Sequence, residues 1–311
     1  MEYTVLGRTG LRVSTMGLGA GGPSRIGRAT GKSESEQVRI VQQAIDAGVN
    51  FIDTAEAYQT EEIVGKALQG HRRDSVVLST KKSIRDEPMT PQVLQAGLEA
   101  SLKRLGVDYV DVYHMHGILP DRYETMVEEV MPTLQRLQQE GKFRFLGITE
   151  HYSTDPSHRM LQRALQDDYW DVMMVGFNLL NQSARELVLR QSQARQIGIL
   201  VMFAVRLALS RPERLHEVIE TLVERGEIDP AEIERNDPLG FLIEEGGATS
   251  LPDAAYRFCR DEPGTHVVLV GTGNPAHLQE NIDSFARPPL HPASVARVNQ
   301  IFRNVVSVSG Q

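Results

Sequence analysis

A single cysteine, Cys259, stands among 311 residues. One cysteine excludes an internal disulfide and a thiolate cage for a metal, and it fits a reducing, cytoplasmic setting. Long apolar runs are missing as well. No stretch approaches the ~20 apolar residues of a membrane helix, and the opening MEYTVLGRTGLRVSTMG has no basic region followed by an apolar one, so neither a span nor a Sec-type signal is expected. Clustered cations are also absent. Against 41 Asp+Glu there are 33 Lys+Arg, a formal net charge of −8, which argues against binding the phosphate backbone of a nucleic acid. What is present, 41% hydrophobic and 24% charged residues, is the composition of a globular chain with a sizeable core.

The first residues read as a hairpin turning at Gly7-Arg8-Thr9-Gly10, with polar and apolar positions alternating around it. Beyond it, short β-type runs alternate with longer amphipathic stretches. Ser33-Glu34-Ser35-Glu36 has capping-box spacing, Val38, Val41 and Ile45 follow on one helical face, and Gly48 supplies a stop. Thr90-Pro91 pairs an N-cap with proline at the first helical position, ahead of a stripe of Leu94, Leu98, Leu102 and Leu105 ended by Gly106. Eight strands are expected, at residues 14–18, 49–54, 76–80, 109–115, 144–149, 171–177, 199–204 and 266–270, each followed by helical sequence. Strict alternation implies a parallel sheet, and eight units close a barrel of about 250 residues. No Pro/Gly/Ser-rich linker intervenes. Residues 1–311 are therefore expected to form one α/β domain, a (β/α)8 TIM barrel with an N-terminal β-hairpin, in preference to a doubly wound open sheet.

Three motifs invite functional readings. Gly17-Leu18-Gly19-Ala20-Gly21-Gly22 matches the GxGxxG dinucleotide fingerprint, which requires a helix to open inside the motif. Residues 23–32 read instead as a polar loop, so a glycine-rich strand end is expected, beside a ligand at most. Gly271-Thr272-Gly273-Asn274-Pro275-Ala276 joins the last strand directly to a helix, and its exposed N–H groups and helix dipole suit a phosphate group. His114 and His116 share one face of their strand, but no second His or Cys cluster stands at ligand spacing, and no metal is expected.

Four polar residues fall at or just beyond strand ends, on the face where barrel enzymes build their sites: Asp53 and Tyr58 after the second strand, Lys81 after the third, His116 after the fourth. Singly, each reads equally as a cap, rim packing, a solvated cation or a core histidine. Together with NFIDTAEAY, STK, VDVYHMHG and GKFRFLGIT, and with LGRTGLRVSTMGLG near the start and NPAHLQENI near the end, they resemble the aldo-keto reductase family over most of the chain. The resemblance implies an (α/β)8 barrel and NAD(P)H-dependent reduction of an aldehyde or ketone, or oxidation of the corresponding alcohol or sugar. It also implies a tetrad on Asp53, Tyr58, Lys81 and His116. Adjacent strand residues face opposite ways, so only one of Lys81 and Lys82 can face Tyr58, and the STK match selects Lys81. His116 rather than His114 matches the family's histidine.

The residue types suit that chemistry. Hydride delivery to a carbonyl carbon builds negative charge on the oxygen, so a positioned proton donor, here Tyr58, lowers the barrier. A tyrosine, with a reference pKa of about 10, donates poorly near neutrality unless its phenolate is favoured, as a neighbouring ammonium would do. Asp53 would hold Lys81 and compensate its charge, and His116 would orient the carbonyl. The cofactor, NADP(H) or NAD(H), supplies the hydride. Its implied contacts are Gly19, Asp53, Thr149, Met174, Ala204, Arg206, Gly271, Thr272, Gly273, His277 and Asn281.

Several of these depart from the family pattern. Thr149-Glu150-His151 stands where Ser-Asn usually holds the carboxamide, and Met174 where a glutamine often assists. Ala204, with Phe203 beside it, takes the place of an aromatic that stacks on the nicotinamide, and Arg206 replaces a common proline, reading equally as a cation for the pyrophosphate or as a surface arginine. Gly271 and His277 stand where a lysine and an arginine often grip the 2′-phosphate, so weaker discrimination for NADP is expected.

The expected partner is a small carbonyl or sugar-like molecule, with residues 117–125 and 206–251 as pocket walls, and no nucleic acid or membrane. The short segment after the last helix is not expected to fold over the site. A nicotinamide-nucleotide-binding regulatory or sensor protein with incidental turnover stays open, since a fold does not fix function. A metal-dependent hydrolase built on His114 and His116 is the third reading. The complete tetrad favours the reductase.

Overall fold

Strands that are apolar on both faces need cover on both. The structure, a computed structural model that describes residues 1–83 and 90–311, provides it by closing eight of them into a parallel barrel. The hairpin strands β1 (Tyr3–Val5) and β2 (Arg12–Ser14) precede it, paired antiparallel with Tyr3 opposite Ser14. The barrel strands are β3 (Met16–Gly19), β4 (Phe51–Asp53), β5 (Val77–Ser83), β6 (Val110–Ile118), β7 (Phe143–Glu150), β8 (Val172–Gly176), β9 (Gly198–Met202) and β10 (Val267–Val270). Each lies beside its neighbour in sequence, and β10 closes on β3.

Around them run α1 (Glu34–Asp46), α2 (Glu61–Ala67), α3 (Pro91–Leu105), α4 (Tyr123–Gln139), α5 (Arg159–Ala164) and α6 (Arg190–Ala194). The second half adds α7 (Leu207–Ser210), α8 (Pro212–Glu224), α9 (Phe241–Glu244), α10 (Leu251–Arg260), α11 (Pro275–Ala286) and α12 (Pro292–Ile301). Among the described residues no helix is long and apolar enough to cross a membrane.

The hairpin serves as a floor. Leu6, Leu11 and Val13 join Phe51, Val77, Val112, Val172, Leu200 and Val267 in the barrel's inner apolar cluster. The turn can press this close because Gly7, at φ +49, sits where any Cβ would collide with the backbone of Gln196 and Gly198. Hydrocarbon thus fills one end, and the polar strand residues are left for the other.

Local signals were placed well by the sequence. Ser33 and Glu36 form the capping box of α1; Thr90 accepts from Val93 N, the four leucines of α3 are buried, and Gly106 at φ 67 ends it. The first full helix starts at Glu34, after a 3₁₀ segment at Arg25–Thr30, so no helix opens inside the GxGxxG motif.

Other expectations need correction. The buried face of α1 is Gln37, Ile40, Val41 and Ala44, leaving Val38 and Ile45 half-buried. Gln37 turns inward because its side chain donates to the Lys32 carbonyl. Ser14 ends the hairpin instead of opening the first barrel strand. The helix expected over 184–196 begins as a π turn at Arg185–Leu189. Strands β5 and β6 run on to Ser83 and Ile118, so Lys81 and His116 lie within strands, not beyond their ends. The segment after α12 reaches the barrel rim: Asn181 and Asn178 donate to the Val308 and Ser309 carbonyls, and Ala208 N donates to Gly310 O. It therefore lies beside Arg206.

Candidate active site

Parallel register sets Gly19, Asp53 and Ser79 side by side, and one layer higher Lys81, His114 and Gly147. Since strand side chains repeat every second residue, Ser79 and Lys81 project to the same side. Asp53 accepts from Ser79 Oγ at 2.8 Å and from Lys81 Nζ at 2.5 Å, while Nζ also donates to the Thr54 carbonyl at 2.7 Å. Both side chains are buried. Burial alone pulls the Lys81 ammonium down, but Asp53 and Tyr58 outweigh it, and the net shift is upward. Burial pushes the Asp53 carboxyl up against the opposing pull of Lys81 and Ser79. A lysine with two oxygen acceptors at these distances is an ammonium matched to its carboxylate.

Tyr58 ends a 3₁₀ turn at Glu56–Tyr58. Its ring packs over Gly21, where a Cβ would stand 2.5 Å from it, so the glycine makes room for the tyrosine. The hydroxyl lies 3.3 Å from His116 Nε2, the two rings meet edge to face at 5.4 Å, and Lys81 Nζ is 4.8 Å from the tyrosine ring centre. The structure therefore brings together all four residues expected to act. Lys82 faces the other way and donates to Glu56 at 2.8 Å. His114 is fully buried against Gly147, where a Cβ would collide with its ring. Burial, then the nearby Lys81 and His116, hold His114 well below the ordinary histidine range, so it is neutral. Among the described residues no three His, Cys, Asp or Glu side chains converge as a metal site. Cys259 is buried, its thiol pushed well up by that burial, and it donates to the Phe177 carbonyl.

Of the residues expected to contact the cofactor, Gly19 and Asp53 lie in the layer with Ser79, and the others stand at or beyond the ends of β7 to β10. Thr149 Oγ1 accepts from Gly117 N at 2.6 Å. Met174 and Ala204 are buried, Met174 within the barrel's inner cluster. The aromatic ring here comes from Phe203, whose left-handed φ of 65 is unusual for a bulky residue. Arg206 lays its guanidinium 3.8 Å above that ring and forms no hydrogen bond or ion pair through it among the described residues. Burial pulls its pKa down. Gly271 faces the Gly19 carbonyl, and Gly273 lies against Gly27, where a Cβ would stand 2.5 Å from backbone. Thr272 accepts from Asn274 N, and Asn274 caps α11 through Ala276 N. His277 is exposed on the first turn of α11, Asn281 half-buried beyond it, and residues 271–281 contain no lysine or arginine.

Sequence reasoning passed over Ser79, Gly21 and the Thr54 carbonyl, and also the buried pair Glu150 and His158, joined at 3.0 Å. Ser79 was findable, standing two residues before Lys81 on the same strand. The pair was not, because a second strand supplies part of it: Glu150, at the end of β7, also accepts from Gly176 N at the end of β8.

Residues 15–303 match the profile of the Aldo/keto reductase family. Aldo-keto reductase YhdN of Bacillus subtilis is 27% identical over 335 aligned residues, covering 99% of this chain and 95% of its own. L-galactose dehydrogenase of Arabidopsis thaliana is 37% identical over 157 residues, 48% of this chain and 48% of its own, so the match spans about half the length of that relative. Among solved structures, the holo form of aldo-keto reductase AKR11C1 from Bacillus halodurans shares the fold, with a TM-score of 0.74 at 24% identity and 98% of each chain covered. With the profile spanning nearly the whole length of the barrel, the chain belongs to the aldo/keto reductase family of oxidoreductases.

Proposed function

We propose that the protein reduces small aldehydes or ketones with NADPH or NADH, and in reverse oxidises the corresponding alcohols or sugars. One observation carries this reading: a buried Lys81 ammonium, held by Asp53 and the Thr54 carbonyl, stands beside a Tyr58 hydroxyl that meets His116 at 3.3 Å. That arrangement has a proton to give and a place for the charge left behind. The similarity to an L-galactose dehydrogenase over half the chain supports including sugar-like substrates.

The chain's own groups fit a dinucleotide. Gly21 makes room for the Tyr58 ring, Gly271 and Gly273 let the turn before α11 pack closely on Gly19 and Gly27 at the strand ends, and Arg206 is a half-buried cation with no anion partner among the described residues. Arg206 and the Gly271-Thr272-Gly273 turn before α11 would meet its phosphates, with His277 and Asn281 further along that helix, and Thr149, Met174 and Ala204 would border the nicotinamide. When bound, the nicotinamide supplies or accepts the hydride.

The protein's part is proton delivery. His116 and the Tyr58 hydroxyl converge where a carbonyl oxygen would sit, and Tyr58 donates its proton as negative charge develops there. Lys81 stabilises the phenolate that remains. Asp53, pinned by Ser79, prevents Lys81 from turning away and matches its charge. Neutral His114 fills the layer beneath without adding a second cation.

Titrating NADH and NADPH against a panel of aldehydes, ketones and sugars tests the reading. Turnover with at least one pair is expected. Tight nucleotide binding without turnover anywhere on the panel would favour a nucleotide sensor instead.

A further inference from the structure

Glu150 and His158 form a hydrogen-bonded pair with no exposed surface to speak of, at 2% and 0% accessibility, where β7 ends. His158 Nδ1 lies 3.0 Å from both carboxylate oxygens, and Glu150 accepts from Gly176 N at 2.7 Å, tying the end of β7 to the end of β8. Proton donation at Tyr58 uses none of these groups. Burying such a pair is costly unless good geometry and further hydrogen bonds offset the lost solvation, as the bond from Gly176 N does in part here.

The His158 ring stacks on Tyr152 at 5.3 Å and 15°. Tyr152, fully buried and packed over Gly176, meets the Phe203 ring edge to face at 5.4 Å. Phe203, held in its left-handed conformation, carries the Arg206 guanidinium on its face at 3.8 Å. Arg206 then reaches toward Gly22, where the first carbon of a side chain would stand 3.6 Å from Nη1. A continuous stack thus runs from the buried pair to a cation on the rim. The Tyr152 hydroxyl has no hydrogen-bond partner among the described residues, so the ring is what Tyr152 contributes. Interior aromatic contacts of this kind have little room to give, so a shift at one end is passed along.

We propose that the Glu150–His158 pair is a positioning unit for the dinucleotide: through the Tyr152 and Phe203 rings it fixes Arg206 on the rim, where that guanidinium meets the dinucleotide's phosphates. The proposal rests on the reading of this mouth as a nicotinamide-dinucleotide site. Glu150, His158, Tyr152 and Phe203 act through Arg206 and determine affinity for the dinucleotide, not the proton transfer at Tyr58.

The test is a double-mutant cycle on binding alone, with Kd for NADH and NADPH measured by calorimetry on the full chain and no carbonyl substrate present. Arg206→Met is expected to raise Kd about tenfold or more, the loss of one charged contact to phosphate. Tyr152→Leu, which removes the stack, is expected to raise Kd about fivefold in the wild type and by less than about twofold in the Arg206→Met background. Tyr152→Phe keeps the ring and is expected to restore the affinity that Tyr152→Leu loses. Should Tyr152→Leu fail to fold, Phe203→Leu at its half-buried position enters the same cycle with the same expected non-additivity. Equal losses in both backgrounds, or a Tyr152→Phe loss as large as that of leucine, overturn the positioning role. A wild type that binds neither dinucleotide overturns the dinucleotide reading and the proposal with it, whereas binding without coupling overturns the proposal alone.

Discussion

The two sides of the barrel mouth differ in how far they are complete without a ligand. From β4 to β6 the polar groups are already joined to one another: Ser79 to Asp53, Asp53 to Lys81, Lys81 to the Thr54 carbonyl, and Tyr58 to His116. From β7 to β9 the polar groups are committed to the scaffold or wait for a partner. Thr149 is taken by Gly117 and Glu150 by His158, while Arg206 rests on a ring. On the proposed mechanism, proton delivery is therefore preorganised, and its groups need not reorganise when charge develops. The residues proposed to hold the dinucleotide lie on the side where Arg206 has no anion partner among the described residues.

That contrast can be broken most forcefully on the preorganised side. Lys81→Met is expected to lower kcat on the order of 10²–10⁴-fold while dinucleotide affinity, measured by calorimetry, changes little. Lys82→Met, one residue away with its ammonium on Glu56, is expected to lose less than about tenfold in the same steady-state assay. Similar losses at the two lysines would erase the difference between facing Tyr58 and facing away.

A smaller effect sharpens the other side. With no lysine or arginine at residues 271–281, the wild type is expected to prefer NADPH over NADH by less than about a hundredfold, because that stretch offers no guanidinium fork to a 2′-phosphate. His277→Arg, at an exposed first-turn position of α11, is expected to shift the ratio of the two Kd values toward NADPH by about tenfold. An unchanged ratio would show that the 2′-phosphate, if bound, lies elsewhere.

The sequence exposed what is local or periodic. Caps and stripes fixed α3 to the residue, since Thr90, Pro91 and Gly106 act within one helical turn of themselves. Strand alternation separated Lys81 from Lys82 for the same reason. The ends of β5 and β6 were hidden because Lys81, Lys82, Ser83 and His116 are polar residues whose place in a strand is set by pairing between those two neighbouring strands. The buried face of α1 was missed where Gln37 turned inward to a backbone carbonyl, against its polarity. Thr149, Met174 and Ala204 are recognisable in the sequence as altered positions, but the stacked group near them is spread over Glu150, Tyr152, His158 and Phe203. No spacing rule links these residues, and only the folded mouth stacks them together.

If Tyr58 delivers the proton in carbonyl reduction while other residues hold the dinucleotide, Tyr58→Phe, which deletes one hydroxyl and keeps the ring over Gly21, separates the two roles when kcat and dinucleotide Kd are measured on the same preparation. The expected result is a kcat lowered on the order of 10²–10⁴-fold with Kd nearly unchanged; near-normal turnover in the phenylalanine variant would rule out Tyr58 as the proton donor.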